Sequence, residues 1–147
     1  MIERVIDSSI LTKFLLKEEG WRSILEILRE TPYTLDLAIK ETINAIWRRV
    51  RILRDISDEK AITLLNDLIN IKNLMLRVED QDQYLHKALE IALKHGITIY
   101  DALFIAQAHS KKAILITADR RQHDIALKIG INLSLIHISE PTRPLYI

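Results

Sequence analysis

Apolar residues along the chain occur in short runs and in helically spaced stretches, which predict strands and helices in alternation. Residues 4–6 are a short, mainly β-branched run, and residues 113–117 form the clearest buried strand. Residues 33–35 and 74–78 are further strand candidates. Strands that alternate with helices favour a parallel sheet with helices on both of its faces. The pattern therefore predicts a three-layer α/β/α domain with a short parallel sheet.

Apolar residues three and four positions apart predict the helices between these strands. One helix follows Asp7, others span residues 21–30, 58–70 and 80–95, and the last ends at Gly130. A further helix is expected from an N-cap at Asp36 to about residue 54, and Ser57 is the expected N-cap of the next. Several residues of these helices are expected to face the core: Leu53, Ile62, Leu65, Ile69, Leu85, Ala88, Leu89 and Ala92.

One helix near the end of the chain carries an acid at its start and is otherwise almost wholly apolar. Asp101 lies in its first turn, and residues 102–108 offer little polar surface, so the helix is expected to be buried. Thr98, three residues before the acid, is the expected N-cap. A carboxylate at the mouth of a buried helix requires a compensating partner, because isolated charge is costly in low dielectric.

Three other acids lie at the ends of apolar segments. Asp7 and Asp119 each follow a predicted strand, and Glu41 falls early in a predicted helix. In a parallel sheet, ligands bind outside the carboxyl ends of the strands, so the topology would gather these acids with Asp101 at one edge. Each acid alone also fits a cap or a solvated first-turn position. Gathered together, they require bound cations or protonation, and hard oxygen ligands suit Mg²⁺ or Mn²⁺.

Composition narrows the class of protein. Of the 147 residues, 48% are hydrophobic and 28% charged, as in an ordinary soluble globular domain. The net charge of +1 does not itself indicate a nucleic-acid binder, but acids gathered in one pocket would leave a basic remainder. The absence of cysteine excludes disulfides and thiolate metal sites. Since neither a signal peptide nor a membrane span is recognisable, we expect a cytoplasmic protein.

In order, spacing and local sequence, the four acids resemble the motifs of PIN-domain ribonucleases, the toxins of VapBC toxin–antitoxin pairs. The matching strings are VIDSS around Asp7, KETINA around Glu41, YDAL around Asp101 and TAD ending at Asp119. The resemblance extends from about residue 2 to residue 130. We therefore expect a nuclease domain over residues 1–132. Residues 133–147 are expected to be a non-native tail, since LSLIHISEPTR resembles a translated sequencing-library adapter.

The resemblance implies roles for individual residues. Asp7, Glu41, Asp101 and Asp119 would hold Mg²⁺ or Mn²⁺ and carry catalysis. Ser8 and Thr117 would orient their carboxylates, and Asn44 would be a polar contact near Glu41. Arg48, Arg120 and Arg121 would contact the RNA backbone. Family membership implies hydrolysis of RNA phosphodiester bonds, a cognate VapB-like antitoxin and a homodimer. The helices over residues 21–30 and 41–54 are candidate partner surfaces.

Two other classes of function compete with this interpretation. A non-catalytic PIN-like module that binds RNA in processing or assembly would keep the fold, but such modules commonly lose acids and all four are present here. A receiver-like signalling domain would require adjacent acids after the first strand and a lysine after the last, and neither is convincing. Trp21 and Trp47 are candidates for base stacking, although core or interface positions are expected for both. Packing roles are expected for Tyr33 and Tyr100.

Overall fold

The centre of the fold is a five-stranded, fully parallel sheet. The computed structural model describes residues 2–130 and the backbone of residues 133–135. The strands are β1 (Arg4–Ile6), β2 (Tyr33–Leu35), β3 (Arg77–Glu79), β4 (Ile114–Thr117) and β5 (Leu133–Leu135), in the order β3-β2-β1-β4-β5. The central strand β1 pairs Ile6 with Ile116 of β4 and Val5 with Tyr33 of β2. All its neighbours are reached by crossovers, so the strands end at a common edge.

Helices cover this sheet, which confirms the predicted α/β/α fold. They are α1 (Ser8–Leu15), α2 (Trp21–Arg29), α3 (Asp36–Arg51), α4 (Asp58–Met75), α5 (Leu85–His95), α6 (Ile99–Lys111) and α7 (Arg120–Ile129). A short 3₁₀ turn, Gln81–Tyr84, precedes α5. Val5, Ile6, Leu35 and Leu115 of the sheet have no exposed surface. This complete burial explains why the strands are apolar runs rather than alternating patterns.

The helix α6 is buried as predicted, and it fixes the position of the acid at its start. Every residue from 102 to 108 is buried, and the helix packs against β1, β2 and β4. Inside this face the side-chain amide of Gln107 donates to the carbonyl oxygen of Thr34 and to Oε1 of Glu79, both at 2.9 Å. These bonds join α6 to two neighbouring strands.

Two element boundaries differ from the sequence predictions. α3 ends at Arg51 rather than near residue 54, because the Arg48 carbonyl accepts from the amides of both Ile52 and Leu53 and the chain turns away. Leu53 is 61% exposed, so its predicted core position is wrong. α4 continues to Met75, since no Gly or Pro interrupts it, and β3 begins only at Arg77. Asp36 is the first residue of α3, and the N-cap position belongs to Leu35.

The predicted inward faces of α4 and α5 are also partly wrong. α4 has two apolar stripes, and the stripe that packs inward is Leu64, Leu68 and Ile71, while Ile62 and Ile69 are exposed. In α5, Ala88 and Ala92 are buried as predicted, but Leu85 and Leu89 are about half exposed. Spacing identifies an apolar stripe, but it does not identify which of two stripes meets the sheet.

The last part of the chain is only partly described. β5 pairs in parallel with β4 at the edge of the sheet. The domain boundary at residue 132 and most of the predicted non-native tail, residues 136–147, lie outside the described residues. Both stay predictions. Within the described part of the chain, no helix is long and apolar enough to cross a membrane.

Candidate functional site

Asp7 lies where the central strand β1 passes into α1, and its carboxylate is held from several sides. It is the N-cap of α1, and Oδ1 accepts from the amide of Ile10 at 3.3 Å. The same oxygen accepts from the Ser9 hydroxyl at 2.5 Å, while Oδ2 accepts from the Thr117 hydroxyl at 2.5 Å. Only 3% of Asp7 is exposed. Burial raises its pKa to about 6, against the opposing effect of these hydrogen bonds.

The two hydroxyls form a clamp that joins the ends of β1 and β4. Ser9 accepts from the amide of Ala118 at 2.9 Å, and Thr117 accepts from the amide of Asp119 at 2.9 Å. Each hydroxyl therefore donates to Asp7 and accepts from the backbone after β4. Thr117 holds a carboxylate as its predicted orienting role requires. The sequence alone assigned Ser9 no role in the site, since no feature of the sequence distinguishes it from Ser8.

Glu41 lies in the second turn of α3 and is partly buried. Burial is the main cause that raises the pKa of Glu41 to about 6. The negative charges of Asp101 and Asp7 raise it further, while a hydrogen bond with the Ser8 side chain lowers it. The structure therefore places Ser8 against Glu41. Asn44, one turn along α3, is exposed and forms no hydrogen bond with Glu41 among the described residues.

Asp101 and Asp119 complete the edge from the opposite side. The Thr98 hydroxyl accepts from the amide of Asp101 at 3.3 Å, which is the predicted N-cap of α6. Burial and the charge of Asp119 raise the pKa of Asp101. Asp119 is exposed and caps α7, because its Oδ1 accepts from the amide of Arg121 at 2.9 Å. Buried Gln122, which the sequence did not single out, donates to the Asp101 carbonyl and holds the two helices together.

The charges of Asp7, Asp101 and Asp119 each act on another acid of this set. The charge of Asp119 raises the pKa of both Asp7 and Asp101, and the charges of Asp7 and Asp101 raise the pKa of Glu41. The ion pairs among residues 2–130 are formed by other acids. This edge of the sheet therefore concentrates negative charge that no lysine or arginine in the described part of the chain neutralises by direct pairing.

The chemistry of this donor set fits a hard divalent cation, although a finished coordination site is not formed. Carboxylate and hydroxyl oxygens without histidine or cysteine suit Mg²⁺ or Mn²⁺ rather than zinc. Within residues 2–130, no group of three or more His, Cys, Asp or Glu side chains is placed to hold one metal ion. Both oxygens of Asp7 are already engaged by hydroxyl groups.

The basic residues predicted to contact RNA differ in their positions. Arg121 is exposed, and its charge lowers the pKa of Asp101, so this cation lies at the acidic edge. Arg120, beside it at the start of α7, is partly buried. Arg48 is exposed on α3, two turns after Glu41. Arg121 is thus the predicted RNA contact whose charge the structure ties directly to one of the four acids.

The aromatic side chains also differ from expectation at one position. Tyr33 packs beneath the guanidinium of Arg77 and the ammonium of Lys111, each 3.9 Å from its ring centroid, and Trp21 packs edge-on against Phe14. Both fit the packing roles expected of them. Tyr100 was expected to pack as well, but it is 56% exposed. That prediction is wrong, because the first turn of α6 extends beyond the layer that covers the rest of the helix.

Comparison with known proteins gives consistent results. A family model described as the PIN domain matches residues 4–128. The chain is 31% identical over 121 residues to Ribonuclease VapC3 of Pyrobaculum aerophilum, covering 80% of this chain and 89% of that protein. It is 29% identical over 119 residues to Exonuclease VapC9 of the same organism, covering 81% and 82%.

Solved structures resemble the fold over most of its length. PAE2754 from Pyrobaculum aerophilum has a TM-score of 0.65 and 25% identity, covering 84% of this chain and 86% of that one. VapBC from Salmonella typhimurium bound to DNA has a TM-score of 0.64 and 17% identity, covering 91% and 98%. The similarity thus includes nearly every element that positions the four acids.

Proposed function

Since the chain belongs to the PIN domain family, with relatives of the VapC type, we propose that it is a Mg²⁺- or Mn²⁺-dependent endoribonuclease. In this proposal it hydrolyses phosphodiester bonds of RNA and is the toxin of a type II toxin–antitoxin system. The observation that carries the proposal is the convergence of Asp7, Glu41, Asp101 and Asp119 at one edge of the sheet.

The electrostatics of this edge support a cation-dependent reaction. When bound, a divalent cation acidifies a water molecule and stabilises the charge that grows on the phosphoryl oxygens. Asp7, Glu41, Asp101 and Asp119 would hold it, and their mutual repulsion is the free-energy cost that cation binding removes. Before a cation binds, the hydroxyl groups of Ser9 and Thr117 fix the orientation of the Asp7 carboxylate.

RNA is a polyanion, so cationic residues outside the acidic pocket must bind its backbone beside the four acids. Arg121, whose charge lowers the pKa of Asp101, is the first candidate for a phosphate contact, and Arg48 and Arg120 are further candidates. Such contacts are independent of sequence, so they position the RNA without selecting the base at the cleaved bond.

The decisive experiment compares the unaltered protein with Asp7→Asn on a circular single-stranded RNA. We expect the unaltered protein to linearise the circle in Mg²⁺ or Mn²⁺ but not in chelator, and Asp7→Asn to lose at least about a hundredfold in rate. Asp124→Asn is the matched control, because Asp124 is an exposed acid of α7 outside the cluster.

Three results would contradict the proposal. Equal cleavage by Asp7→Asn would remove the catalytic role of this edge, and no cleavage by the unaltered protein would favour the non-catalytic RNA-binding alternative. Degradation of linear RNA but not of the circle would indicate an exonuclease, which is the activity named for VapC9.

A VapB-like antitoxin is the proposed protein partner. The structural neighbours include VapBC complexes, and this chain has an apolar groove of about 450 Å³ between α3 and α4. Ile43, Trp47 and Ile62 line it, and all three are more than a third exposed. One wall of the groove belongs to α3, the helix that carries Glu41, and begins at Ile43, two residues after it. Ile62→Glu should abolish co-purification with the antitoxin, and retention of the complex would exclude this groove.

A homodimer is also proposed, and α5 offers a surface for it. Leu85, Leu89 and Leu93 lie at intervals of four residues and are 46%, 52% and 76% exposed. This row of leucines, the α5 leucine stripe, repeats one residue type along one helix face. Two copies related by a twofold axis would bring such a stripe against itself, which is the geometry of an isologous interface.

A further inference from the structure

The aromatic residues of the described chain separate into five that are buried or partly buried and two that are exposed. Tyr84 and Phe104 are buried, Phe14 packs against Trp21, and Tyr33 lies beneath two cations. The exposed residues are Trp47 and Tyr100, at 51% and 56%. Bulky rings in water contribute little to the stability of a monomer, so each exposed ring is a candidate for a role in binding.

The two exposed rings differ in their relation to the acids. Trp47 follows Glu41 by six residues, which places it ~9 Å along α3 and about 120° around it, where it lines the groove between α3 and α4. Tyr100 directly precedes Asp101, with Cα atoms ~3.8 Å apart. In the described part of the chain, Tyr100 has neither a hydrogen bond nor a ring contact that would hold it for structural reasons.

The residues around Asp101 include a candidate to bind the phosphate of a nucleotide and a candidate to bind its base. On one side lies the exposed Arg121, whose neighbour Gln122 donates to the Asp101 carbonyl oxygen at 3.3 Å, so this cation offers a contact for a phosphate. The exposed ring belongs to Tyr100, the residue directly before Asp101. Single-stranded RNA offers a base for each phosphate, and aromatic side chains are the usual partners of unstacked bases.

We infer that Tyr100 is a stacking platform for a base of single-stranded RNA next to the phosphate at Asp101. This inference rests on the proposed nuclease function and deepens it, since it states that the substrate is unpaired and which side chain grips its base. Tyr100 is a binding residue here and takes no part in proton transfer. Stacking is tolerant of sequence, because every base has an aromatic face.

The test measures how strongly cleavage depends on the presence of a base. The substrates are a single-stranded oligoadenylate and an oligonucleotide of the same length with abasic riboses at every second position, both assayed with enzyme in excess. Tyr100→Leu should lower the rate constant over the dissociation constant about tenfold or more on oligoadenylate. On the abasic substrate, Tyr100→Leu should lower this ratio much less. Tyr100→Phe should keep the preference of the unaltered protein, because it keeps the ring.

Leu74→Ala is the control, since it removes an exposed apolar side chain on α4, away from the four acids in the chain. It should leave both rates unchanged. Thermal melting should show that Tyr100→Leu is as stable as the unaltered protein, because the lost ring was mostly in water.

Four results would overturn the inference. One is an unaltered protein that cleaves both substrates equally, and another is a Tyr100→Leu variant with an undiminished preference for the base. The third is an equal loss on both substrates with a changed molar mass in solution, which would place Tyr100 in a protein interface. If the unaltered protein cleaves neither RNA in Mg²⁺ or Mn²⁺, the proposed function itself fails, and the inference with it.

Discussion

At the scale of single residues, the main feature of this protein is an ionisable group kept in an unfavourable place. Asp7 is 3% exposed, and its carboxylate has hydroxyl and amide donors but no ion pair among the described residues. Removal from water raises the pKa of Asp7 from 3.8 to about 6. An acid with a raised pKa in the folded state destabilises that state whenever it is ionised.

The stability of the cation-free protein should therefore depend on pH in a defined direction. The folded state takes up a proton on Asp7 near its pKa of about 6, whereas the unfolded chain does so only near 3.8. The penalty is full above about pH 6 and shrinks as the pH falls toward 4. Glu41, whose pKa is also raised to about 6, contributes with the same sign. In chelator, the free energy of unfolding should rise as the pH falls from 7.5 to 5.

Asp7→Asn isolates the share of Asp7 in this effect. We expect the variant in chelator to be more stable than the unaltered protein at pH 7.5, by an amount on the order of 1–2 kcal/mol, and its pH dependence to be shallower. Urea unfolding at several pH values measures both. Asp124→Asn, at an exposed position, should change neither. A variant less stable than the unaltered protein at pH 7.5 would mean that the hydroxyl clamp outweighs the cost of burial.

At the scale of elements, the sequence predicted the strands and helices whose apolar patterns are strong and unambiguous. The buried strand of residues 114–117 and the wholly apolar face of α6 admit one interpretation, and both lie where they were expected. Since strand ends and helix starts position the acids, their convergence followed from topology alone. The signals failed where a helix has two apolar stripes, as in α4, because the choice between them depends on tertiary packing.

The finer parts of the site could not be predicted because they depend on contacts between distant residues. Ser9 donates to Asp7 and accepts from the backbone of Ala118, and these residues are more than a hundred positions apart. Gln122 likewise reaches the backbone of Asp101 from another helix. Neither residue type nor local spacing distinguishes such a serine or glutamine from one in water.

The end of α6 gives a prediction that belongs to the helix rather than to the site. Lys112 is its C-cap residue and adopts a left-handed conformation with φ of 53°, whereas the C-caps of α5 and α7 at the same kind of position are glycines. A side chain in this region costs about 1–2 kcal/mol, of which the greater flexibility of glycine when unfolded offsets about half. Lys112→Gly should therefore raise the free energy of unfolding by roughly 0.5–1 kcal/mol.

Two further variants make this comparison specific. Gly96→Ala places a side chain at φ of 67° with nothing within 4 Å of the new carbon, so its expected loss of about 1 kcal/mol is conformational and not steric. Lys94→Gly, inside α5, makes the same replacement at a helical position and should destabilise by about 1 kcal/mol. Urea denaturation measures all three. A loss of stability in Lys112→Gly would show that contacts of the lysine side chain outweigh the strain.

At the scale of the whole molecule, residues 2–130 carry two separate apolar surfaces of different character. The groove between α3 and α4 is bordered by Arg51 and Asp58 and is lined by residues of several types. The α5 leucine stripe repeats a single residue type at regular intervals. A varied groove suits a different chain, whereas a repeated stripe suits another copy of itself. The net charge of +1 offers no strong long-range repulsion between copies.

The stripe can be tested at its central residue, because a twofold axis through Leu89 would bring Leu85 of each copy against Leu93 of the other. Leu89→Lys then places two like charges opposite each other in a desolvated contact, so the variant should be a monomer at concentrations where the unaltered protein is a dimer. Sedimentation equilibrium measures this, and circular dichroism checks the fold. Leu74→Lys is the control, since Leu74 is 77% exposed on α4, outside the stripe. A dimer that persists in Leu89→Lys would exclude the stripe as its interface, and an unaltered protein that stays monomeric would exclude the homodimer.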